Sequence, residues 1–310
     1  MKLVFCGTPL FAVPTLERLA AAGYELQLVV TQPDRPQGRG MELTAPPVKQ
    51  SALKLGLPIA QPEKIKKNEE FRAQLTALQP DAIIVVGYGR IIPPWMLTLP
   101  RFGNINVHAS LLPKYRGAAP IQWAIAQGET VSGVTTMHLN EGLDTGDILL
   151  QKELPIQPED TSLTYAPPLA ELGADLLVET LRGLEAQTIT PIPQDHSQAT
   201  LAPILEKEDG LIDFNRTAAE IHNRLRGFQP WPGAYTHFRG KNLKFISAKP
   251  DDTPSNLAPG ELRIGDEKLF VGCGQRSVLQ LLQIQPEGKK ALTAREFING
   301  YHPAAGERLS

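Results

Sequence analysis

The chain has 310 residues, 42% of them hydrophobic and 21% charged, and a formal net charge of −2. That length accommodates two domains of ordinary size, and the near-neutral charge offers no global attraction for nucleic acid, so any such contact needs a local basic surface. Two cysteines far apart, Cys6 and Cys273, exclude a disulfide framework or zinc spacing, and no apolar run reaches the length of a membrane span.

The elements begin with an apolar strand, Leu3 to Cys6, that turns at Gly7-Thr8-Pro9 into a helix over Ala12 to Ala22. Gly23 ends it, and Leu26 to Val30 is a second strand, which makes a β-α-β opening. The start is too short for a signal-peptide core, so cytoplasm is expected. Gly7 to Ala12 lacks the second and third glycines of a dinucleotide-binding turn, which removes the main support for a nicotinamide enzyme. Residues 31–49 are rich in Pro and Gly, have no apolar period, and carry Arg35, Arg39 and Lys49 against Asp34 and Glu42. A solvated loop is the plain interpretation, although loops of that length in a compact domain are often functional. Helices over Lys49 to Leu55 and Glu69 to Leu78 flank a short strand at Ile59-Ala60. Asp81 to Val86 is apolar throughout, as a strand covered on both faces must be. It ends in Gly87-Tyr88-Gly89, glycines that permit either a tight turn or close approach of a flat ligand. Ile91, Ile92 and Trp95 read as packing of the next helix.

The central stretch is Gly103 to Gly117. Ile105 and Val107 mark a strand, and residues two apart on a strand share a face, so Asn106 and His108 project together at its carboxyl end. Open α/β sheets bind their ligands at that end. An amide can donate to an oxygen that gains charge, and an imidazole can donate to it or move a proton. A carboxylate that orients the ring is the natural third member, and Gly142-Leu143-Asp144-Thr145-Gly146 supplies one in a tight turn. A helix over Ala118 to Ala126 and a strand over Val131 to Leu139 lie between. After the Asp144 turn come an extended stretch, Ile148 to Ile156, and a helix holding Leu176, Leu177 and Leu181, which Pro167-Pro168 should break or delay.

Asn106-x-His108 followed by Ser110-Leu111-Leu112-Pro113-x-x-Arg116-Gly117, then Gly142-Leu143-Asp144-Thr145-Gly146-Asp147-Ile148-Leu149, resembles the 10-formyltetrahydrofolate-dependent formyltransferases. Along its whole length the chain resembles the branch that formylates methionyl initiator tRNA. The resemblance implies an enzyme with Asn106, His108 and Asp144 catalytic, with Ser110, Leu111, Leu112 and Pro113 lining the folate site, and with the Gly87-Tyr88-Gly89 turn facing the pterin pocket. It implies 10-formyltetrahydrofolate as co-substrate, no metal, and a basic insertion at Arg35, Arg39 and Lys49 that reaches the tRNA acceptor stem. Phe228 to Tyr235 resembles the family's C-terminal OB-like barrel, where Lys207, Arg224, Arg226, Arg239, Lys241, Lys244 and Lys249 would supply positive surface. Scattered solubilising charge is the alternative for those residues.

The expected fold class is therefore α/β. A doubly wound, mostly parallel, Rossmann-like sheet over 1–187 is followed by a linker over 188–205 and a smaller OB-like β-barrel over 206–310. The linker reading rests on the polar, proline-bearing run Thr188 to Pro203. A monomer is expected. Formylation of another amine, on an amino sugar or glycinamide ribonucleotide, and non-catalytic binding of folate or RNA are the alternatives. No His/Cys/Asp/Glu set has metal spacing and no Gly-x-Ser-x-Gly elbow is present.

Overall fold

The computed structural model describes residues 1–37, 42–253 and 255–310. The chain divides into two compact units. The first comprises Met1–Pro120, Val131–Pro155 and Ala166–Ala202; the second comprises Ile121–Thr130, Ile156–Tyr165 and Pro203–Ser310.

In chain order the elements are β1 (Lys2–Gly7), α1 (Val13–Ala21), β2 (Glu25–Val30), β3 (Arg35–Gln37), β4 (Glu42–Thr44), α2 (Pro47–Lys54), β5 (Ile59–Ala60), α3 (Glu69–Leu78), β6 (Ala82–Val86) and α4 (Pro94–Leu97). They continue with β7 (Asn104–His108), α5 (Pro120–Ala126), β8 (Val131–His138), β9 (Ile148–Pro155) and α6 (Ser162–Glu185). Seven strands form one sheet in the order β5-β2-β1-β6-β7-β8-β9. Pairings are parallel from β5 to β7 and antiparallel from β7 to β9. The winding reverses between β1 and β6, the position where such sheets open a crevice at their carboxyl ends.

Register fixes which faces meet what. Cys6 pairs with Val85 and Val85 with Asn106, and paired residues share a face. That face packs on Phe71 and Leu75 of α3, with Tyr88, Ile65 and Met96. Val107 points the other way, toward α6, where a Cβ on Gly173 would meet it at 2.9 Å. Both faces are covered, which is why β6 is buried at every residue.

Two expectations change here. Residues 31–49 hold a short antiparallel hairpin, β3 with β4, because Arg35–Gln37 and Glu42–Thr44 can pair locally without an apolar period. The helix α6 runs unbroken through Pro167 and Pro168. Both prolines lie in its first two turns, where the missing N–H groups leave the carbonyls of Leu163 and Thr164 without their i+4 donors.

The second unit contains α7 (Ala218–Gly227), β10 (Ala234–Phe238), β11 (Lys241–Asp251), β12 (Leu262–Gly265), β13 (Lys268–Gly272), β14 (Val278–Pro286), β15 (Leu292–Thr293) and α8 (Ala294–Tyr301). Its six strands are antiparallel, in the order β10-β11-β14-β13-β12 with β15 on β14. Irregularities between Phe245 and Ala248 bend β11. The core gathers Phe245, Leu269, Leu279, Leu281 and Ile284 against Ile221 and Leu225 of α7 and Phe297 of α8. Both helices begin with capping boxes, Thr217 with Glu220 and Thr293 with Glu296. Trp123 packs edge-to-face on Phe228 with centroids 5.2 Å apart and donates to the Pro203 carbonyl. Among the described residues no helix is long and apolar enough to cross a membrane.

Candidate active site

Strand β7 presents Asn104, Asn106 and His108 on one face, and their amides have different jobs. Asn104 is buried, and its Nδ2 donates to the carbonyls of Met96 and Leu97 at 2.9 and 3.1 Å. It closes the end of α4. Asn106 is 9% exposed, and its amide has no hydrogen-bond partner among the described residues. A nearly buried amide with unused donors is exceptional in a folded protein.

His108, 5% exposed, ends the strand. Its Nε2 lies 2.9 Å from the Tyr115 carbonyl. A carbonyl only accepts, so Nε2 carries a proton and Nδ1 is the nitrogen available for exchange. Nδ1 faces Asp144 Oδ2 at 3.8 Å, longer than a hydrogen bond. The ring is thus anchored by Tyr115 as well as faced by the acid, and a backbone carbonyl leaves no mark in a sequence. Tyr115 adopts φ +61 to aim it, a left-handed conformation uncommon for a bulky residue.

The segment after β7 is fastened from β8. Thr135 pairs with His108. Its hydroxyl donates to the Ser110 carbonyl at 2.7 Å and accepts from Leu112 N–H at 3.1 Å and Gln151 Nε2 at 2.9 Å. Gln151 also donates to the Leu112 carbonyl. The Ser110 hydroxyl donates to the Lys114 carbonyl at 2.6 Å. Its proton is thereby given to a carbonyl within the loop. Leu112 is buried, whereas Leu111 and Pro113 are half-buried.

Asp144 reaches His108 by an indirect route. Because β8 runs antiparallel, its last residue, His138, lies beside Ile105 at the other end of β7. The 139–147 turn must fold back over the face. Asn140 Oδ1 accepts from Gly142 N–H and the Thr145 hydroxyl. Asp144 itself takes φ +50. Gly146 lies so close to His138 that a Cβ would stand 1.9 Å from that residue's carbonyl oxygen. Burial lowers the pKa of His138 there. The carboxylate is then steadied by Gly117 N–H, donating to Oδ2 at 2.8 Å.

A groove of about 570 Å³ opens beside these loops, in the size range of a drug-sized ligand. It is lined by Lys64, Lys66, Lys67 and Arg90, by Ile91, Ile92, Pro93 and Pro94, and by Glu141 of the Asp144 turn. Ile91 is 91% exposed, a correction to its expected role in helix packing. Pro93-Pro94 postpone α4, and Ile91 lies on extended chain with no helix to bury it. Arg90 is held by Gln32 Oε1 at 3.0 Å and by the Glu63 carbonyl. The Gly87-Tyr88-Gly89 turn precedes it, with φ +54 and +76 at the glycines. The Tyr88 ring points into the core, and burial raises its pKa. Its carbonyl accepts from Thr8 Oγ1 and Gln32 Nε2.

The formyl transferase family pattern matches residues 1–181, and that of the formyl transferase C-terminal domain matches 204–302. This chain belongs to the formyl transferase family. Curated relatives include the methionyl-tRNA formyltransferases of Koribacter versatilis, 66% identical over all of this chain and 98% of that protein, and of Acidobacterium capsulatum, 61% identical over all of this chain and 99% of that one. Solved structures share the fold at low identity. The N-formyltransferase of Helicobacter canadensis, in complex with folinic acid and dTDP-3-aminofucose, superposes with a TM-score of 0.68 at 18% identity over 92% of this chain and 99% of that one. HypX of Aquifex aeolicus in complex with tetrahydrofolic acid gives 0.63 at 18% identity, over 99% of this chain and 48% of that one.

Within this formyl transferase the expected nucleic-acid residues are placed unevenly. Arg35 is exposed on β3, and Arg39 lies outside the described residues. Lys49 is committed to Asp34, with Nζ 2.7 and 2.9 Å from the two carboxylate oxygens. Its charge braces the hairpin's base. In the second unit Lys207, Lys241, Lys244 and Lys249 are exposed. The arginines there are occupied: Arg226 donates to the Asp160 carbonyl, Arg224 lies over Phe228 and Arg239 is paired with Glu307. Among the described residues no group of His, Cys, Asp and Glu could hold a metal.

The polar run expected to be a linker is woven into the first unit as far as Ala202. Ile192 and Ile148 exchange both backbone hydrogen bonds, Arg116 N–H donates to Thr200, and Ala202 N–H donates to Arg116. Its polar side chains satisfy active-site loops in place of water, which composition alone could not reveal.

Proposed function

We propose that the protein transfers the formyl group of 10-formyltetrahydrofolate to the α-amine of methionyl initiator tRNA, for translation initiation, as a cytoplasmic monomer. Its full-length likeness to methionyl-tRNA formyltransferases names the acceptor. The observation that carries the chemistry is an unpartnered Asn106 amide beside a His108 whose Nδ1 is left facing Asp144. The neutral amine attacks the formyl carbon, and the carbonyl oxygen becomes anionic. Asn106 Nδ2 and protonated His108 Nδ1 donate to that oxygen, and donors fixed in advance are worth most in a site that excludes water. The Tyr115 carbonyl holds Nε2, so proton exchange is confined to Nδ1. Asp144 lies across that nitrogen, with Oδ2 3.8 Å away, and orients the ring. One proton leaves the amine as the C–N bond forms, and N10 of the folate regains one as it departs.

The groove suits the folate. Ile91, Ile92, Pro93 and Pro94 offer an apolar wall, and Lys64, Lys66, Lys67 and Arg90 face the carboxylates of the tail. Gly87, Tyr88 and Gly89 contribute through backbone, as do Ser110, Leu111, Leu112 and Pro113. Arg35, Arg39 and Lys207 contact tRNA phosphates, and Lys49 acts through the hairpin it braces. The test is one formylation assay offered methionyl initiator tRNA, an amino-sugar nucleotide and glycinamide ribonucleotide. Turnover with the tRNA alone supports the reading, turnover with another acceptor alone replaces it, and tight folate binding without transfer to any of them would reduce the protein to a binding module.

A further inference from the structure

Gln194 is 6% exposed and lies outside every segment that the catalytic motif covers. Its side chain uses its full hydrogen-bonding capacity. Nε2 donates to the carbonyls of Asp144 at 2.8 Å and Gly146 at 2.7 Å. Oε1 accepts from Arg116 Nε at 3.1 Å and Nη2 at 2.6 Å. Arg116 is itself 6% exposed, and its Nη2 also meets His196 Nδ1 at 3.1 Å. A primary amide has two donors and two acceptor lone pairs, and here each is used within the protein.

The two ends of this bridge matter. On one side is the turn that carries the Asp144 carboxylate. On the other is Arg116, the residue after Tyr115, whose carbonyl anchors the imidazole. Gly117, next again, gives its N–H to Asp144 Oδ2. The turn emerges from the far end of β8, so its local sequence does not bring it over His108. Gln194 adds a tie to it from a third segment.

We propose that Gln194 is a positioning residue for formyl transfer, fixing the separation of Asp144 and His108 by clamping the two loops that carry the acid and the ring's anchor. This rests on the catalytic reading of His108 and Asp144 given above. A shift of about 1 Å between reacting groups can cost on the order of 10²-fold in rate, and loss of two donors to one turn permits such a shift.

The informative substitution is Gln194→Glu. It keeps the shape and the contact with Arg116, and replaces both donors with a carboxylate oxygen facing two carbonyls. The expected result is a folded protein with kcat lower by about 10²-fold and KM for tRNA and folate within about threefold. Backbone exchange of Gly117 N–H becomes faster, because its acceptor is no longer held. In an Asp144→Asn background the same change costs under about threefold more, since residues that act through one group are not additive. Gln194→Met checks the loss of donors without added charge; if it does not fold, Gln194→Glu alone decides. A Gln194→Glu enzyme within about twofold of the parent kcat with unchanged Gly117 exchange overturns the proposal, as does full additivity with Asp144→Asn. A near-normal rate in His108→Ala or Asp144→Asn would instead overturn the catalytic reading beneath it, and Gly117 exchange would still report whether Gln194 clamps the turn.

Discussion

Asn104 and Asn106 sit two residues apart on one strand face, which makes a matched pair of substitutions decisive. Asn106 has no partner among the described residues, so Asn106→Ala removes no hydrogen bond seen there. The stability change is expected to stay within about 1 kcal/mol, against about 1–3 kcal/mol for exposing buried polar partners. Its effect falls on the transition state. Removing one donor to a developing oxyanion typically costs about 10²–10³-fold in kcat, equivalent to about 2.7–4 kcal/mol. Asn104→Ala has the opposite profile. It strands the carbonyls of Met96 and Leu97, which accept at 2.9 and 3.1 Å. It also removes the buried Asn104 Oδ1, which has no partner among the described residues, so the loss belongs near the lower end of about 1–3 kcal/mol, with kcat within about fivefold of the parent. Steady-state formylation of charged initiator tRNA and urea unfolding measure the two quantities separately. If Asn106→Ala kept a rate within threefold of the parent, or lost more than about 2 kcal/mol of stability, the amide would be a structural group and the oxyanion argument would fail.

Thr135→Val keeps the shape but removes one hydroxyl that serves the Ser110 carbonyl, Leu112 N–H and Gln151. A loss of about 2–3 kcal/mol is expected in urea unfolding, with a lower kcat as the loop beside His108 loosens. Gly117→Ala must place a Cβ 2.6 Å from the Ala202 carbonyl oxygen at φ +123. Strain of about 1–3 kcal/mol and displacement of the Asp144 donor should nearly abolish turnover, and normal kinetics would show that the contact can yield. The Asp34 carboxyl is held below the ordinary aspartate range, first by the hydrogen bond from Gln61 and then by Lys49. A depressed folded value means that its stabilisation of the hairpin base is complete above the unfolded value of about 3.9 and is lost as pH falls through the lower folded value. Carboxyl NMR titration of Asp34 should show a midpoint below that of an unstructured aspartate, and a Lys49→Gln variant should move it up.

The side chains proposed for catalysis could be picked out of the sequence because their signal is local. Asn106 and His108 are two apart on a strand, and Asp144 stands between glycines in a tight turn. The sequence carried the parallel strands because β6 is apolar throughout. What it could not carry depends on backbone groups and on distant segments. The Tyr115 carbonyl has no residue type, since any amino acid supplies one. Gln194 and Thr200 look like linker polarity until their partners are known. Lys49 reads as a phosphate contact until Asp34 claims it, and Ile91 reads as core until two prolines hold back the helix. The positive φ at Tyr115 and Asp144 also falls on residues that do not advertise it.

The reversal of strand direction after β7 explains why so much of the site is built from ties between loops. At a parallel pairing, neighbouring strands deliver their carboxyl ends to the same edge, and side chains there meet without further help. Asn106 and His108 meet because they are two apart on β7, and the parallel pairing of β7 with β6 sets them at that shared edge. Asp144 is not set there, because antiparallel β8 delivers its turn to the opposite end. Bringing the acid to the imidazole therefore requires a fold-back that the sheet does not enforce, and the structure secures it with Gly146 against His138, Gly117 N–H on the carboxylate and Gln194 on the turn's carbonyls. Under the proposed chemistry, each tie is a place where a change remote from the transferred carbon should alter the rate. The 3.8 Å between Nδ1 and Oδ2 is the quantity those ties control, so substitutions along them should change kcat in proportion to how far they release the turn, while changes on the α6 face of the same strands should act on stability.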